Sequence, residues 1–330
     1  MAGFLRGAPI AVLAAFLLAG CGVQQVFKGQ YYLRSGNFAQ GAAVFADEVK
    51  AHPEEPAAHY YLGRLLLAQD RAEEALPELQ TAARLAPGDA DYRYWTGVAQ
   101  GVLGQADAER DSYLEALQRN PTHGDALTYL GHNLLERGDM AGALARYQEA
   151  LKIWAYNPAA MHNQALCLDR LGRSAEALKA YKAFLEAWPD GALARNAVKR
   201  LNALGDFSWR NHRVGRRTVT MPALRFAPGA ADILAESGPS LDHLAAVVAN
   251  TPGVVLHVLA YQKGNGALAA DRAKAVRARL LLARPEIASR VRASWFDAAE
   301  EVRAGKRAAS LAESVAFFTQ ALPAAAATGS

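Results

Sequence analysis

Small residues recur at a fixed interval along the N-terminal part of the chain. The interval is 34 residues, and it relates Gly29, Gly63, Gly97, Gly131 and Ala165. Sixteen residues after each of these lies a large side chain, in the series Phe45, Leu79, Tyr113, Tyr147 and Tyr181. Apolar positions between the two series follow helical spacing, and short turns such as "LGQ" and "RGD" separate them. The pattern predicts five antiparallel helix pairs, each with a small residue facing a large one.

With Pro53, Pro87, Pro121 and Pro189 closing four of the five pairs, the series resembles the tetratricopeptide repeat. The resemblance implies an α-helical solenoid over residues 21–204: five repeats and then the helix "ALARNAVKRLNALG", a cap whose outer face meets solvent. The third repeat departs from the pattern, because Thr96, Gln100 and Glu109 stand where apolar or small residues are usual. We expect it to pack loosely or to turn these groups toward a neighbour.

Tetratricopeptide arrays bind a peptide or protein segment on the concave face formed by the first helix of each pair. The resemblance carries this role to seven positions, which we call the groove face: Arg34, Tyr60, Arg64, Tyr94, His132, His162 and Arg170. Tyrosine and arginine are common anchors of protein interfaces. The alternative for each of them is ordinary polar surface of a helix.

The pattern changes after residue 204. Residues 205–216 are basic and read as a linker, and residues 217–322 read as a small α/β domain in the order β-α-β-α-β-β. Within it, "VVLHVLA" is a buried strand, and "GALAADRAKAVRARLLLA" is a helix with Ala273 and Val276 facing inward and Arg272 near water. Residues 323–330 read as a disordered tail.

The segments "LRFAPG", "NTPGVVLHVLA", "DRAKAVRARL" and "VRASWF" resemble an OmpA-like domain, the module that holds peptidoglycan. In that family an aspartate after the central strand and an arginine on the next helix grip diaminopimelate. Arg272 matches the arginine, but Lys263 stands in place of the aspartate, and an ammonium cannot accept a hydrogen bond from an amine. Asp271 is the nearest acid in sequence. Peptidoglycan binding through Arg272, Asp271 and Lys263 is therefore an alternative, with the site altered.

The N-terminus has the character of an export signal. Arg6 precedes a short apolar run that ends in "LAGC", which resembles the bacterial lipobox. The resemblance implies a signal peptide over residues 1–20 and a diacylated Cys21, and Gly22 in the next position favours the outer membrane over the inner. The alternative is an ordinary exported protein cleaved near Ala19. Cys167, the remaining cysteine, lies among leucines in a helix and reads as inert.

Charge divides the chain. Residues 22–204 are near −3, whereas residues 205–330 hold 16 Lys and Arg against 10 Asp and Glu. A basic C-terminal part is typical of a domain that meets a polyanion, an acidic partner or a membrane surface, or simply of a solvated basic face.

Enzymatic readings have little support. Gly264, Gly266 and Ala269 match the G-x-G-x-x-A spacing, but no acid ends the next strand, and no P-loop or Gly-x-Ser-x-Gly occurs. The histidines are not at metal-ligand spacing. We expect no catalysis, no cofactor, no metal and no nucleic-acid partner.

The sequence therefore favours a lipid-anchored scaffold on the periplasmic face of the outer membrane. Its repeats would hold an envelope protein during assembly, secretion or pilus biogenesis, as in repeat lipoproteins of pilus and secretin systems. The alternative is a cell-wall tether that acts through the C-terminal domain, and a hydrolase or transferase carried on the repeats is the third class.

Overall fold

The computed structural model describes residues 24–305 and 307–322. Its contacts divide the chain into two compact units, residues 1–167 and 168–330, with the boundary inside a helix. The predicted signal peptide, Cys21 and the predicted tail at residues 323–330 lie outside the described residues.

The first unit is built of helices of 12 to 14 residues joined by short turns. They run α1 (24–35), α2 (Phe38–Ala51), α3 (Pro56–Leu67), α4 (Ala72–Leu85), α5 (Ala90–Val102), α6 (Ala106–Arg119), α7 (Gly124–Glu136), α8 (Met140–Ile153) and α9 (Pro158–Arg170). The odd-numbered members are the first, or A, helices of each pair, and the even-numbered members are the B helices. Gly104 and Gly138 adopt positive φ angles, 71° and 84°, and reverse the chain between paired helices.

Close contact between paired helices depends on the glycines of the 34-residue series. A β-carbon on Gly97 would lie 2.5 Å from the Tyr113 ring, and one on Gly131 would lie 2.7 Å from the Tyr147 ring. Both tyrosine side chains are completely buried. The predicted meeting of small and large residues is thus what the structure contains at these pairs, and a side chain at either glycine would force the helices apart.

The polar residues of the third repeat are satisfied within the helix array. Ser112 Oγ donates to Gln100 Oε1 over 2.7 Å, and Asn133 Nδ2 donates to Glu109 Oε2 over 2.7 Å. Thr96 Oγ1 donates to the carbonyl of Tyr92, one turn earlier. The expectation of loose packing or of outward-turned groups is wrong, because each departure from the pattern has a hydrogen-bonding partner nearby.

The second unit begins with α10 (Ser174–Ala187) and α11 (Gly191–Ala203), followed by a hairpin of β1 (Trp209–Val214) and β2 (Arg217–Pro222). Asn202 Nδ2 donates to the carbonyls of Asp206 and Trp209, at 2.7 and 3.0 Å, and Asn211 Nδ2 donates to the carbonyl of Arg195 at 3.1 Å. Residues 205–216 are therefore not a linker: most of them form the first strand and its turn. The other face of α11 is likewise not free for solvent.

The sheet of the second unit has the order β4-β3-β7. Its strands are β3 (Val254–Gln262), β4 (Val291–Phe296), parallel to β3, and β7 (Glu313–Ala321), antiparallel to β3. The β1–β2 turn meets β7, since the Gly215 amide donates to Thr319 Oγ1 at 2.9 Å. Alternate residues of β3, from Val254 to Ala260, are buried with α12 (Gly238–Ala249) and α13 (Gly266–Ala283) in one apolar core.

Two features of this unit were not in the predicted order of elements. The first is the strand β1, and the second is a hairpin of β5 (Glu300–Ala304) and β6 (Arg307–Leu311) between β4 and β7. The glycine-bearing turn before α13 has a local structural role: Gly264 has a φ of 76°, and the side chain of Asn265 caps α13 by accepting from the Leu268 amide at 3.0 Å.

Candidate functional site

The groove-face residues differ widely in exposure. Arg34 and Arg170 are exposed, and Arg64 and His132 are half-buried. The remaining three, Tyr60, Tyr94 and His162, are buried, with 7%, 4% and 5% of their surface exposed. Arg170 belongs to the second unit, and the others belong to the first. Within the first unit, the side chains available to a partner are therefore chiefly the arginines and His132.

Aromatic packing explains the burial of Tyr94. Its ring lies 5.9 Å from that of Tyr113, 5.5 Å from that of Tyr129 and 5.0 Å from that of His123. Burial raises the pKa of the Tyr94 phenol far above its usual value, so this group stays neutral. Tyr129 covers it and is itself 39% exposed.

His132 lies beside this cluster. Its ring centroid is 5.4 Å from that of Tyr129 and 5.6 Å from that of Tyr147. Burial lowers the pKa of His132, and Glu136 opposes that shift only in part. His132 is consequently a neutral aromatic neighbour of Tyr129 at physiological pH.

Arg64 has the most distinctive surroundings of the set. Its guanidinium carbon lies 4.1 Å from the centre of the Trp95 ring and 5.4 Å from the centre of the Tyr60 ring. Nη1 donates to the Tyr60 hydroxyl at 3.0 Å. Among the residues that the structure describes, no carboxylate lies within ion-pair distance of Arg64, and its buried Nε has no hydrogen-bonding partner. Tyr92 stacks on Tyr60 at 4.7 Å and completes the aromatic surroundings.

Asp91 is the acid closest in character to a partner for Arg64, but its oxygen is already used. Asp91 Oδ1 accepts from His123 Nε2 at 2.9 Å, while His123 Nδ1 accepts from the Ala126 amide and caps α7. The hydrogen bond from His123 is the main reason that the pKa of Asp91 is lowered, and Arg64 contributes only as a distant charge.

Arg272 in the second unit is buried, with 5% of its surface exposed, so its expected position near water is wrong. Nε donates to the Ala230 carbonyl at 3.0 Å, and Nη1 donates to Gln262 Oε1 at 2.7 Å and Glu313 Oε2 at 2.8 Å. The guanidinium also stacks on Phe226, 4.6 Å from the ring centre. The helix face is covered here because the loop after β2 folds over it.

Lys263 and Asp271 are both exposed and do not join Arg272. The Asp271 carboxylate lies 3.4 Å from Lys274 Nζ, and Lys263 is tied only through its backbone amide, which donates to the Ala312 carbonyl. The three predicted ligand residues are thus not brought together, and the carboxylate beside Arg272 comes from Glu313.

A cavity of about 490 Å³ opens beside Arg272 and Glu313. Phe207, Phe226 and Arg210 also line it. Arg210 makes two hydrogen bonds of 2.6 Å to the Glu300 carboxylate, to which Ser314 Oγ also donates. Both arginines of the cavity are therefore neutralised by glutamates of the same unit, which suits a ligand bearing both charges better than a simple anion.

Several of these residues escaped the sequence reasoning. Trp95 could have been found, because Phe27, Tyr61, Trp95 and Tyr129 are separated by 34 residues and place an aromatic at one position of four successive A helices. Glu313 could not, since it meets Arg272 only because β7 pairs with β3, which sets Glu313 opposite Gln262.

Three further observations bear on function. No helix of the described residues is long and apolar enough to cross a membrane. In the same residues, no group of three or more His, Cys, Asp or Glu is placed to hold a metal ion. Cys167 is buried, and burial raises the pKa of its thiol to about 11, as expected of an unreactive cysteine.

Comparison with known proteins places the helical part in a family. The tetratricopeptide repeat matches residues 28–90, 66–124 and 128–192. A structure from a functional characterization of Pseudomonas aeruginosa pilF is 18% identical with a TM-score of 0.52, over 57% of this chain and 85% of that one. The crystal structure of MamA is 23% identical with a TM-score of 0.45, over 48% of this chain and 93% of that one.

One curated relative is the probable biofilm formation methyltransferase WspC of Pseudomonas aeruginosa, 40% identical over 84 residues. The aligned segment is 26% of this chain and only 19% of that protein, and the homologue from Pseudomonas putida is matched over 24% of its length. The chain thus spans about a fifth to a quarter of these relatives. Residues 28–124 and 128–192 are tetratricopeptide repeats, a helix-pair architecture that serves as a scaffold for binding proteins or peptides.

Proposed function

We propose that the protein is a lipid-anchored scaffold of the outer membrane whose repeats capture a segment of an envelope protein during assembly, secretion or pilus biogenesis. The observation that carries the binding role is the aromatic series on the A helices. Phe27 and Tyr129 occupy the same repeat position and are 73% and 39% exposed, and the half-buried Trp95 lies between them in the series. Exposed aromatic side chains in register are typical of a surface that another chain covers.

Site-specific photocrosslinking tests this role. A photoreactive phenylalanine analogue at Tyr129, introduced into the full-length protein in cells, is expected to capture an envelope protein. Leu114 gives a matched control, because it is 41% exposed but lies on the B helix α6. Equal capture from both positions, or none from Tyr129, would remove the support for a binding face on the A helices.

The membrane part of the proposal is supported by the charged start, the apolar run and the "LAGC" tetrapeptide. Acyl chains on Cys21 would give a durable anchor, since each buried CH₂ contributes about 0.8 kcal/mol. Cys21→Ser is expected to leave an unprocessed precursor outside the outer-membrane fraction. Normal processing and sorting of that variant would refute the lipid anchor.

The second candidate is a cell-wall tether that acts through an OmpA-like domain. The alternation of β3, α13 and β4, together with Arg272 at the family position, supports it. Glu313 beside Arg272 supplies the acid that Lys263 does not. Glu313→Gln in the full-length protein is expected to weaken co-sedimentation with purified sacculi, whereas Glu286→Gln, an exposed control, is not. Unchanged co-sedimentation of the Glu313 variant would count against the tether.

The match to WspC does not extend the proposal to catalysis. The aligned 84 residues have the length of about two and a half repeats and represent 19% of that protein. Tetratricopeptide repeats generally act as non-catalytic scaffolds, and the proposal assigns this chain that role.

A further inference from the structure

We propose that Arg64 is the recognition site for a carboxylate of the captured segment, so that the partner is an extended peptide with an acidic residue flanked by apolar ones. This inference rests on the proposed role of the repeats in binding a protein segment. It adds the chemical class of the partner and names the residue that selects it.

The first argument is the hydrogen-bonding state of the guanidinium. A guanidinium has five N–H donors, and Arg64 uses one of them, on the Tyr60 hydroxyl. The Nε donor is sealed beneath the stacked rings without a partner, while Nη2 has no partner either and is not among the sealed atoms. The terminal nitrogens are therefore the accessible edge, and two N–H groups on one edge match the two oxygens of a carboxylate.

The second argument is charge. An arginine that is partly removed from water normally has a carboxylate close to it, as Arg210 and Arg272 do in the second unit. Arg64 has aromatic rings instead. Asp91 does not neutralise it, because its oxygen is engaged by His123. The positive charge is thus held in place and left uncompensated, which favours an incoming anion over a neutral or cationic group.

The third argument is composition and position. Arg64 and Trp95 belong to the A helices of the second and third repeats, and the exposed Phe27 and Tyr129 belong to those of the first and fourth. Arginine, tryptophan and tyrosine together are the usual composition of an interface hot spot. The order predicts that the acidic residue of the peptide lies in the middle of the bound segment, with apolar side chains before and after it.

The experiment selects peptides from a random phage-displayed library on the full-length protein. Enriched peptides are expected to contain Asp or Glu at a fixed distance from an apolar residue. For a synthetic enriched peptide, Arg64→Gln is expected to weaken binding at least about tenfold, the effect of losing one charge-assisted contact. Arg34→Gln is the control, since Arg34 is exposed and has no aromatic contact among those described for it.

A change on the peptide guards against a misfolded variant. Replacing its Glu by Gln is expected to weaken binding to the unaltered protein about as much as Arg64→Gln does, and to have no further effect on the Arg64 variant. Peptides with free and amidated C-termini distinguish a terminal carboxylate from a side-chain one. Either source supports the proposal if its loss is coupled to Arg64.

Two outcomes would overturn the inference, and they differ in what else falls. If enriched peptides bind the repeats but lack acids and are insensitive to Arg64→Gln, the scaffold role stands and the carboxylate site does not. If no peptide is enriched and Tyr129 captures no protein in cells, the scaffold role falls, and the inference falls with it.

Discussion

Arg64 in the repeats and Arg272 in the C-terminal unit are both arginines stacked on aromatic rings, yet their donors have different fates. Arg272 is 5% exposed and bonds to a carbonyl, an amide and a carboxylate of its own unit. Arg64 is half-buried and bonds to one phenol. The difference teaches that stacking alone does not mark a binding arginine. The state of the remaining N–H donors separates one that holds the fold from one that is free for a partner.

The largest effect is expected from Arg272→Met. The change leaves Gln262 and the Ala230 carbonyl without a donor and removes the stack on Phe226. We expect the free energy of unfolding to fall by about 2–4 kcal/mol, measured by chemical denaturation of the full chain. Arg225→Met is the control, because Arg225 is 71% exposed, and it should change stability by less than about 0.5 kcal/mol. A small effect at Arg272 would end its contrast with Arg64.

His212 tests what the C-terminal unit does with a cationic group that has no acid of its own. Burial, with the nearby Arg210 charge second, lowers the pKa of His212 to about 4. The unfolded chain, with a pKa near 6.5, then binds a proton that the folded protein does not. Stability is therefore complete above pH 6.5 and falls as the pH drops toward 4, by about 3 kcal/mol.

The measurement is the unfolding free energy at intervals between those two pH values. His212→Phe should flatten the slope, because a phenylalanine keeps the edge contact with Phe317, at 5.1 Å in the native ring pair. Carboxylates such as Glu300 titrate mainly below this window. An unchanged slope would show that His212 is protonated in the folded protein, against its burial.

A smaller loss is expected from Glu313→Gln. The Glu313 side chain is 64% exposed, so water replaces much of what the carboxylate gives to Arg272. We expect about 1 kcal/mol or less in unfolding free energy, since Gln262 and the Ala230 carbonyl remain as acceptors. A loss as large as that of Arg272→Met would mean that the charge pair, rather than the hydrogen-bonding network, holds the loop after β2.

The smallest stability effect is expected from Arg64→Met. A methionine packs on Trp95 and Tyr60 about as well as the guanidinium does, and only the bond to the Tyr60 hydroxyl is lost. The melting temperature should change little, corresponding to about 0.5 kcal/mol, while binding of acidic peptides is lost. Destabilisation on the scale of Arg272→Met would make Arg64 a structural residue and erase the comparison.

The helix pairs were predictable because their information is local and repeated. Gly97 and Tyr113, or Gly131 and Tyr147, announce a contact sixteen residues apart, and the same spacing recurs along the array. The burial of Tyr60 and Tyr94 was less accessible. An A helix packs against its neighbours on both sides, so a position that points inward can be covered by rings such as Tyr92 or Tyr129.

The C-terminal unit was less predictable because its contacts join distant segments. β1 has the polar sequence "WRNHRV", and its burial comes from α11 and from Phe317, more than a hundred residues away. The acid beside Arg272 lies 41 residues beyond it and is set by the order of strands. Neither residue type nor spacing in the sequence specifies those neighbours.

The packing of α11 on the β1–β2 hairpin has a practical consequence for dividing the chain. Residues 204 to 216 offer a protease no loose joint, since their backbone is held by Asn202 and by pairing with β2. A fragment starting at residue 206 would leave Trp209 and the strand edge uncovered, and we expect it to aggregate. Recombinant work on the C-terminal unit should therefore keep α10 and α11.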